Sequence, residues 1–243
     1  ELMLKFLKYP IKIKKNMGNE LITVKGLSQF KGFNYKVPGD ISSASFFIVL
    51  TLLSKKSKIV IKNVNVNESR IGIINILNKM GANIKLERKK IYNGEKIANI
   101  HVKSKDNLKA INCPPKLNSS AIDEFLIIFL VAAKSQGISK FKDLGEMNKK
   151  ESKRLDLGVK FLRSIGIKVN RFNDNVNIHG NPNLILSKNY EMKNFLKDHR
   201  IFFLSCITAL TLGGKWKITD KDSINTSFPN FIKILKKIGA QIH

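Results

Sequence analysis

Three stretches of this chain are apolar on every side of a helix. They are "ISSASFFIVLTLL" after Asp40, "EFLIIFLVAA" after Asp123 and "HRIFFLSCITALTL" after Asp198. A helix without a polar face has to be enclosed by other elements, so all three are predicted to be buried. Each starts at an acidic residue, a side chain suited to accept the free N–H groups of a first helical turn. The aspartates are spaced by 83 and 75 residues, which points to an internal repeat.

The segments downstream of each run strengthen the repeat. A break leads to a short β-patterned segment: "SKIVIKNV", "GISKFKDL" and "GKWKITDK". A second, amphipathic helical stretch then closes through a glycine into a strand, in "ILNKMGANIKL", "FLRSIGIKVNR" and "ILKKIGAQIH". Gly81, Gly166 and Gly239 sit where a helix ends in a left-handed residue, which glycine adopts without strain. Further strands are predicted in "YNGEKIANIHV" and "NDNVNIHG". The opening "LKFLKYPIKIK" reads as the tail of one more unit, with Tyr-Pro in place of the glycine turn. The pattern is an α/β repeat of about 75 to 85 residues in three copies, hence a pseudo-symmetric domain.

Composition narrows the function. Of 243 residues, 43% are hydrophobic and 26% charged, a globular balance. No run of 18 apolar residues suggests a membrane span. Cys113 and Cys206 match no disulfide or metal-binding spacing, so no metal site is expected and a reducing, cytoplasmic compartment fits. The chain begins at Glu1 in mid-pattern, which reads as a piece of a longer protein whose N-terminal part is missing. The net charge of +26 suggests nucleic acid, but its cations are scattered and no aromatics interleave with them. Only six of the 44 cations are arginine, and abundant Lys, Asn and Ile fit a bias toward A/T-only codons. A small anionic substrate suits the charge equally well.

Buried helices whose N-termini gather at one end of a domain make a positive, donor-rich pole. Asp40 reads as a plain N-cap there. Asp123 and Glu124, in "IDEF", are either cap and dipole partner or a base facing a polar cleft. Asp198, His199 and Arg200 combine a carboxylate, a group that carries a proton near neutrality and a planar donor fork. In "NKKESKRL", a helix over about 149–165 would place Lys150, Glu151 and Arg154 within a 100° arc and turn Lys149 and Lys153 away. That trio is either an ordinary i,i+3 surface pair or two cations that hold an anion and tune Glu151.

In order and spacing, "VPGDISSASFF", "IDEF", "KES-R-L", "DHR" and "TSFP" resemble the C-terminal portion of the 5-enolpyruvylshikimate-3-phosphate synthase family. The resemblance spans essentially the whole chain. It implies an enolpyruvyl transferase-like fold: repeated helix–strand units with buried parallel helices under small sheets and pseudo-threefold symmetry. Residues 1–38 would end an N-terminal domain, the tail of a second similar domain. Residues 39–243 would form the C-terminal domain, in repeats of about 39–112, 113–190 and 191–243. The implied reaction moves the enolpyruvyl group of phosphoenolpyruvate to the 5-hydroxyl of shikimate 3-phosphate and releases phosphate, with no cofactor, nucleic acid or membrane, in a protein that is a monomer when full length. Asp123 would contact the 5-hydroxyl and take its proton, Glu151 would handle the proton at carbon 3, and Lys150 would lie near both substrates. Arg154 and Arg200 would clamp phosphoenolpyruvate, supported by Asp198 and His199, which count with them as substrate-binding.

Three positions depart from the family pattern: Lys153 stands for its aspartate, Asn148 for an arginine and Thr226 for a lysine found in some members. The family's first-domain ligands are absent from this chain, so the chain alone is expected to be inactive. A transferase of the same fold acting on UDP-N-acetylglucosamine is the alternative. It would use a loop cysteine and lack the Lys-Glu-Ser-x-Arg signature. A lysine-rich nucleic-acid-binding module is the rival from another class.

Overall fold

From the N-terminus, helix α1 (Leu2–Phe6) leads into a hairpin of β1 (Ile11–Asn16) and β2 (Asn19–Val24). The first repeat then runs through α2 (Ile41–Leu53), β3 (Lys58–Asn65), α3 (Gly72–Lys79), β4 (Asn83–Tyr92) and β5 (Glu95–Lys103). The second comprises a short α4 (Asn118–Ala121), α5 (Phe125–Lys134), β6 (Ile138–Phe141), α6 (Arg154–Ser164), β7 (Val169–Phe172) and β8 (Asn175–His179). The third has β9 (Leu186–Met192), α7 (His199–Leu212), β10 (Gly213–Ile218) and α8 (Phe231–Lys237). This computed structural model describes all residues except Met17, Gly18, Ser28, Phe30, Asn194 and His243.

The three apolar runs are α2, α5 and α7, and each packs against the other two. Nine consecutive residues of α5, Phe125 to Ala133, are buried. Hydroxyls inside these helices bond back to their own turns: Thr51 to Phe47, Ser135 to Val131, Ser205 to Ile201 and Thr208 to Leu204. That is how an enclosed helix tolerates polar residues. The starts of α2 and α5 meet through Ser42 and Glu124, and those of α5 and α7 through Asp123 and Arg200. At the opposite end, Leu50 and Ser54 of α2 line a common hollow with Leu210 of α7. The helices therefore run parallel, with their N-termini at one pole.

Around this bundle lie small sheets. Strands β3-β5-β4 and β6-β8-β7 form antiparallel three-stranded sheets, while β9 and β10 pair in parallel. The structure adds an element that the hydrophobic pattern did not predict. The segment before each buried helix pairs in parallel with the strand after it: Gly39 with Val64, Asn112 with Lys140, and β9 with β10. Residues 109–112 and β9 therefore join the strand that follows the next buried helix, while Lys109 N–H also donates to the Met80 carbonyl at the end of α3.

The predicted glycine turns are present. Gly81, Gly166 and Gly239 have φ of 88°, 86° and 103°. In each, the glycine N–H and the next N–H reach back to consecutive carbonyls, as in Ala82 to Leu77, Ile167 to Leu162 and Ala240 to Leu235. The same pair of bonds closes α1, where Lys8 takes the left-handed conformation with φ 55°. In the third unit residues 240–242 after Gly239 form no strand, contrary to the pattern. The segment before α2 holds to the β4–β5 turn through Tyr35, which donates to Glu95 and stacks on Tyr92. A cluster of Phe46, Phe47, Phe203, Phe228 and Phe231 ties α2, α7 and α8 together. The "SFP" motif thus anchors the third unit.

Candidate active site at the pole of the buried helices

The predicted helix over 149–165 starts later, at Arg154. Residues Gly145–Lys149 form a 3-10 turn, and Lys150 is extended at φ −85°, ψ −169°. Lys150 and Glu151 are therefore gathered beside Arg154 by a bend, not by a helical face. Asn148 caps α6 from outside: its Oδ1 accepts from the N–H of Leu155 at 3.0 Å and of Asp156 at 3.3 Å, and its Nδ2 donates to Asp156. The asparagine at this departing position thus has a structural task. Gly158 lets α6 lie close on α5, since a Cβ there would meet Leu126 at 2.7 Å.

Asp123 is not an N-cap. It lies in the turn between α4 and α5, with its carboxylate surrounded by cations from all three repeats. Its Oδ1 is 3.2 Å from Lys150 Nζ and 3.6 Å from Arg154 Nη1. Its Oδ2 is 3.8 Å from Arg200 Nη2 and 4.0 Å from Arg70 Nη1. Arg200 Nη1 also donates to the Asp123 carbonyl at 2.7 Å. Burial alone would raise the Asp123 pKa, but Arg200, Lys150 and Arg154 outweigh it and hold the carboxyl below the usual range.

Arg154, with only 2% of its side chain exposed, is the knot of the site. Its Nε donates to Asp198 at 3.0 Å, and its Nη2 is 2.6 Å from Glu151 Oε2. Glu151 itself is 69% exposed, at the mouth. Asp198 caps α7 as predicted, accepting from the N–H of Arg200 and Ile201, and it also accepts from Ser152 Oγ. Its carboxylate has 0% exposure and is filled by these donors. Asp198 is thus enclosed behind Arg154. His199, half-buried at the first turn of α7, packs edge-on against Phe203, and burial lowers its pKa.

Two contributors, Ser152 and Arg70, were not found from the sequence, and Glu124, weighed there together with Asp123, has a place of its own. Ser152 orients Asp198. Glu124, buried, accepts from Ser42 Oγ, and burial pushes its carboxyl above the ordinary range. Arg70, just before α3, donates to the same Ser42 Oγ at 3.0 Å. Among the described residues no group of His, Cys, Asp and Glu is arranged to hold a metal ion, and no helix is long and apolar enough to cross a membrane.

The family model for EPSP synthase (3-phosphoshikimate 1-carboxyvinyltransferase) matches residues 1–235. The chain belongs to the EPSP synthase family. Two similar relatives carry the name 3-phosphoshikimate 1-carboxyvinyltransferase. That of Ruthia magnifica subsp. Calyptogena magnifica is 36% identical, and that of Vesicomyosocius okutanii subsp. Calyptogena okutanii is 38% identical. Each alignment covers 100% of this chain and 54% of the relative. A solved EPSP synthase from Acinetobacter baumannii superposes with a TM-score of 0.88 at 32% identity, over 99% of this chain and 54% of the other. The enolpyruvyl transferase NikO from Streptomyces tendae, at TM-score 0.65 and 12% identity over 99% of this chain and 52% of the other, shares the fold. The chain spans about half the length of the curated relatives it matches. In this EPSP synthase family chain, then, the five ordered motifs converge on one pole. "IDEF", "KES-R-L" and "DHR" contribute the ionic cluster, "VPGD" the start of α2, and "TSFP" the aromatic cluster beneath it.

Proposed function

We propose that the protein containing this chain transfers the enolpyruvyl group of phosphoenolpyruvate to the 5-hydroxyl of shikimate 3-phosphate, and that the pole described above is one wall of its site. The observation that carries the reading is the convergence of Lys150, Arg154 and Arg200 on Asp123, with Glu151 exposed at the rim and paired with Arg154. Both substrates are anions, and these donors suit their phosphates and carboxylate. Arg200 Nε is enclosed without a hydrogen-bond partner. Such a donor is uncommon in a folded protein and suits a ligand oxygen.

In the reaction, carbon 3 of phosphoenolpyruvate gains a proton and the substrate hydroxyl oxygen bonds to carbon 2. Carbon 3 then returns a proton as the bond to phosphate breaks. Asp123, ionised at neutral pH, accepts a hydrogen bond from the hydroxyl. Because its basicity is depressed, the proton passes only as the new C–O bond forms. Lys150, 3.2 Å from Asp123, lies between that oxygen and the leaving phosphate. Glu151 carries the proton to and from carbon 3. When it turns to the substrate, Arg154 Nη2 is released to an anion. Asp198 holds Arg154 through Nε and caps the helix that carries Arg200, with His199 beside it in the first turn.

The UDP-N-acetylglucosamine alternative calls for a reactive loop cysteine. Cys113 is buried, and burial raises its thiol to about 11, which argues against that chemistry. The test is phosphate release by the full-length protein with both substrates. Glu151→Gln is expected to lower kcat by about a hundredfold or more while KM stays within a few-fold. No substrate-dependent release by the wild type would refute the activity, and near-normal Glu151→Gln would refute the role of Glu151.

A further inference from the structure

The first and second repeats enter their second helices through related sequences. The first reads Glu68-Ser69-Arg70 and the second Glu151-Ser152-Lys153-Arg154. Lys153 is an extra residue between the serine and the arginine of the second repeat, and the stretch from Arg154 to Gly166 is one residue longer than that from Arg70 to Gly81. The third repeat has Asp222-Ser223 followed by Ile224-Asn225-Thr226, with no cation. The two arginines make corresponding contacts, each to the acidic residue at the start of its own repeat's buried helix and to that of the next. Arg154 approaches Asp123 Oδ1 and the N-cap of α7, while Arg70 approaches Asp123 Oδ2 and, at 3.9 Å, Asp40, the N-cap of α2. Arg70 is held there by its bond to Ser42 Oγ, whose own hydrogen is committed to the buried Glu124. This fixes a side chain that is otherwise 48% exposed.

We propose that Arg70 is a positioning residue of this site, the first repeat's counterpart of Arg154, holding the Asp123 carboxylate on the oxygen that Lys150 and Arg154 do not contact. The inference rests on the role of Asp123 proposed above. Asp123 is faced by Lys150, by Arg154 of α6, by Arg200 of α7 and by Arg70, with Glu124 beside it and Asp40 beyond Arg70. Removing one of four cations weakens the ionised form and leaves Oδ2 held from one side only, by Arg200.

The experiment uses the full-length protein and two readouts. The first is the titration of the Asp123 carboxyl carbon by 13C NMR, assigned with Asp123→Asn. In Arg70→Gln its midpoint moves to higher pH, and in Arg70→Lys it moves less. The second is steady-state kinetics. In Arg70→Gln, kcat falls about tenfold with KM within about threefold, and the acidic limb of kcat moves up with the NMR midpoint. Arg70→Lys recovers most of the loss. An unchanged midpoint and unchanged acidic limb in Arg70→Gln overturn the proposal. So does a loss of kcat that Arg70→Lys fails to recover. Should Arg70→Gln fail to fold, Arg70→Met is read by the same criteria. A wild type without phosphate release refutes the proposed activity, while the NMR titration still decides whether Arg70 holds Asp123.

Discussion

Replacing Asp198 with alanine tests whether this buried carboxylate holds the site together. Three interactions end at once: the cap on the Arg200 and Ile201 N–H groups, the bond from Ser152 Oγ and the contact with Arg154 Nε. A lost cap costs about 1 kcal/mol. Breaking a buried ion pair from one side costs about 3–5 kcal/mol, but Arg154 keeps Asp123 and Glu151 as partners, so the lower end applies. The expectation for Asp198→Ala is about 4 kcal/mol, which for a domain of about 200 residues lowers Tm by about 10 °C. Asp198→Asn keeps an oxygen for the cap and for Ser152 but loses the charge, so it should fall between, at about 2 kcal/mol.

Calorimetry of the full-length protein at several pH values provides the assay. Burial works to raise the Asp198 pKa, but Ser152, Arg154 and the Arg200 N–H outweigh it and depress it. A depressed carboxyl stabilises the fold fully above its unfolded pKa of about 4, and that contribution fades as pH falls through the lower folded value. The gap between wild type and Asp198→Ala should therefore stay constant from about pH 5 to 8 and close below about 4. A gap under about 2 °C at neutral pH, or Asp198→Asn as damaging as Asp198→Ala, would refute the account.

Glu124 carries the opposite sign. Its raised folded pKa, caused first by burial, favours stability below about 4.3 and loses it as pH rises. Glu124→Gln should therefore gain stability relative to wild type from pH 5 to 8, and a flat difference in Tm would exclude this. Asn148→Ala removes the outside cap of α6 and should cost about 1 kcal/mol in a denaturant titration; no change would mean that α6 starts without it. Lys153→Asp, at an exposed N-cap position, should leave kcat within about twofold and stability unchanged or up to about 1 kcal/mol higher. A large loss of kcat would place Lys153 in the site.

The buried helices and their closing turns were legible because both signals are local. Nine apolar residues in a row admit one environment, and a glycine after an amphipathic run admits one turn. The parallel strands ahead of the helices were not. Two are isolated bridges, at Gly39 and Asn112, too short to show alternation, and β9 reads "LSKNYEM", which is mostly polar. The helix expected over 149–165 failed at its start because propensity is a weak prior there. Ser152 turns inward to Asp198 and Asn148 supplies the cap, so the chain gains more from a bend than from another helical turn. The predicted trio was nevertheless brought together, because Asp123 attracts Lys150 and Arg154 from a different element. Arg70 belongs to no motif along the chain, and its kinship with Arg154 shows only when one repeat is laid on another.

The net charge of +26 does not describe the site. Arg70, Lys150, Arg154 and Arg200 are balanced there by Asp123, Glu124, Glu151 and Asp198, so the pole is close to neutral in formal charge. What distinguishes it is the kind of cation. Arginine supplies six of 44 cations in the chain, yet three of the four at the pole are arginines. A lysine is a hydrated point charge that serves well on a surface. An enclosed position that must satisfy two or three acceptors in fixed directions needs the guanidinium fork. Arg154, at 2% exposure, donates from Nε to Asp198 and keeps Asp123 and Glu151 within ion-pair distance of its other two nitrogens. Two other arginines, Arg163 and Arg171, also make directed bonds, to the Val169 carbonyl and to Asp156. Among the described residues, five of the six arginines make directed contacts, and only Arg88, exposed on β4, does not. By that criterion Arg70 stands with Arg154 and Arg200, apart from the solvated lysines around it.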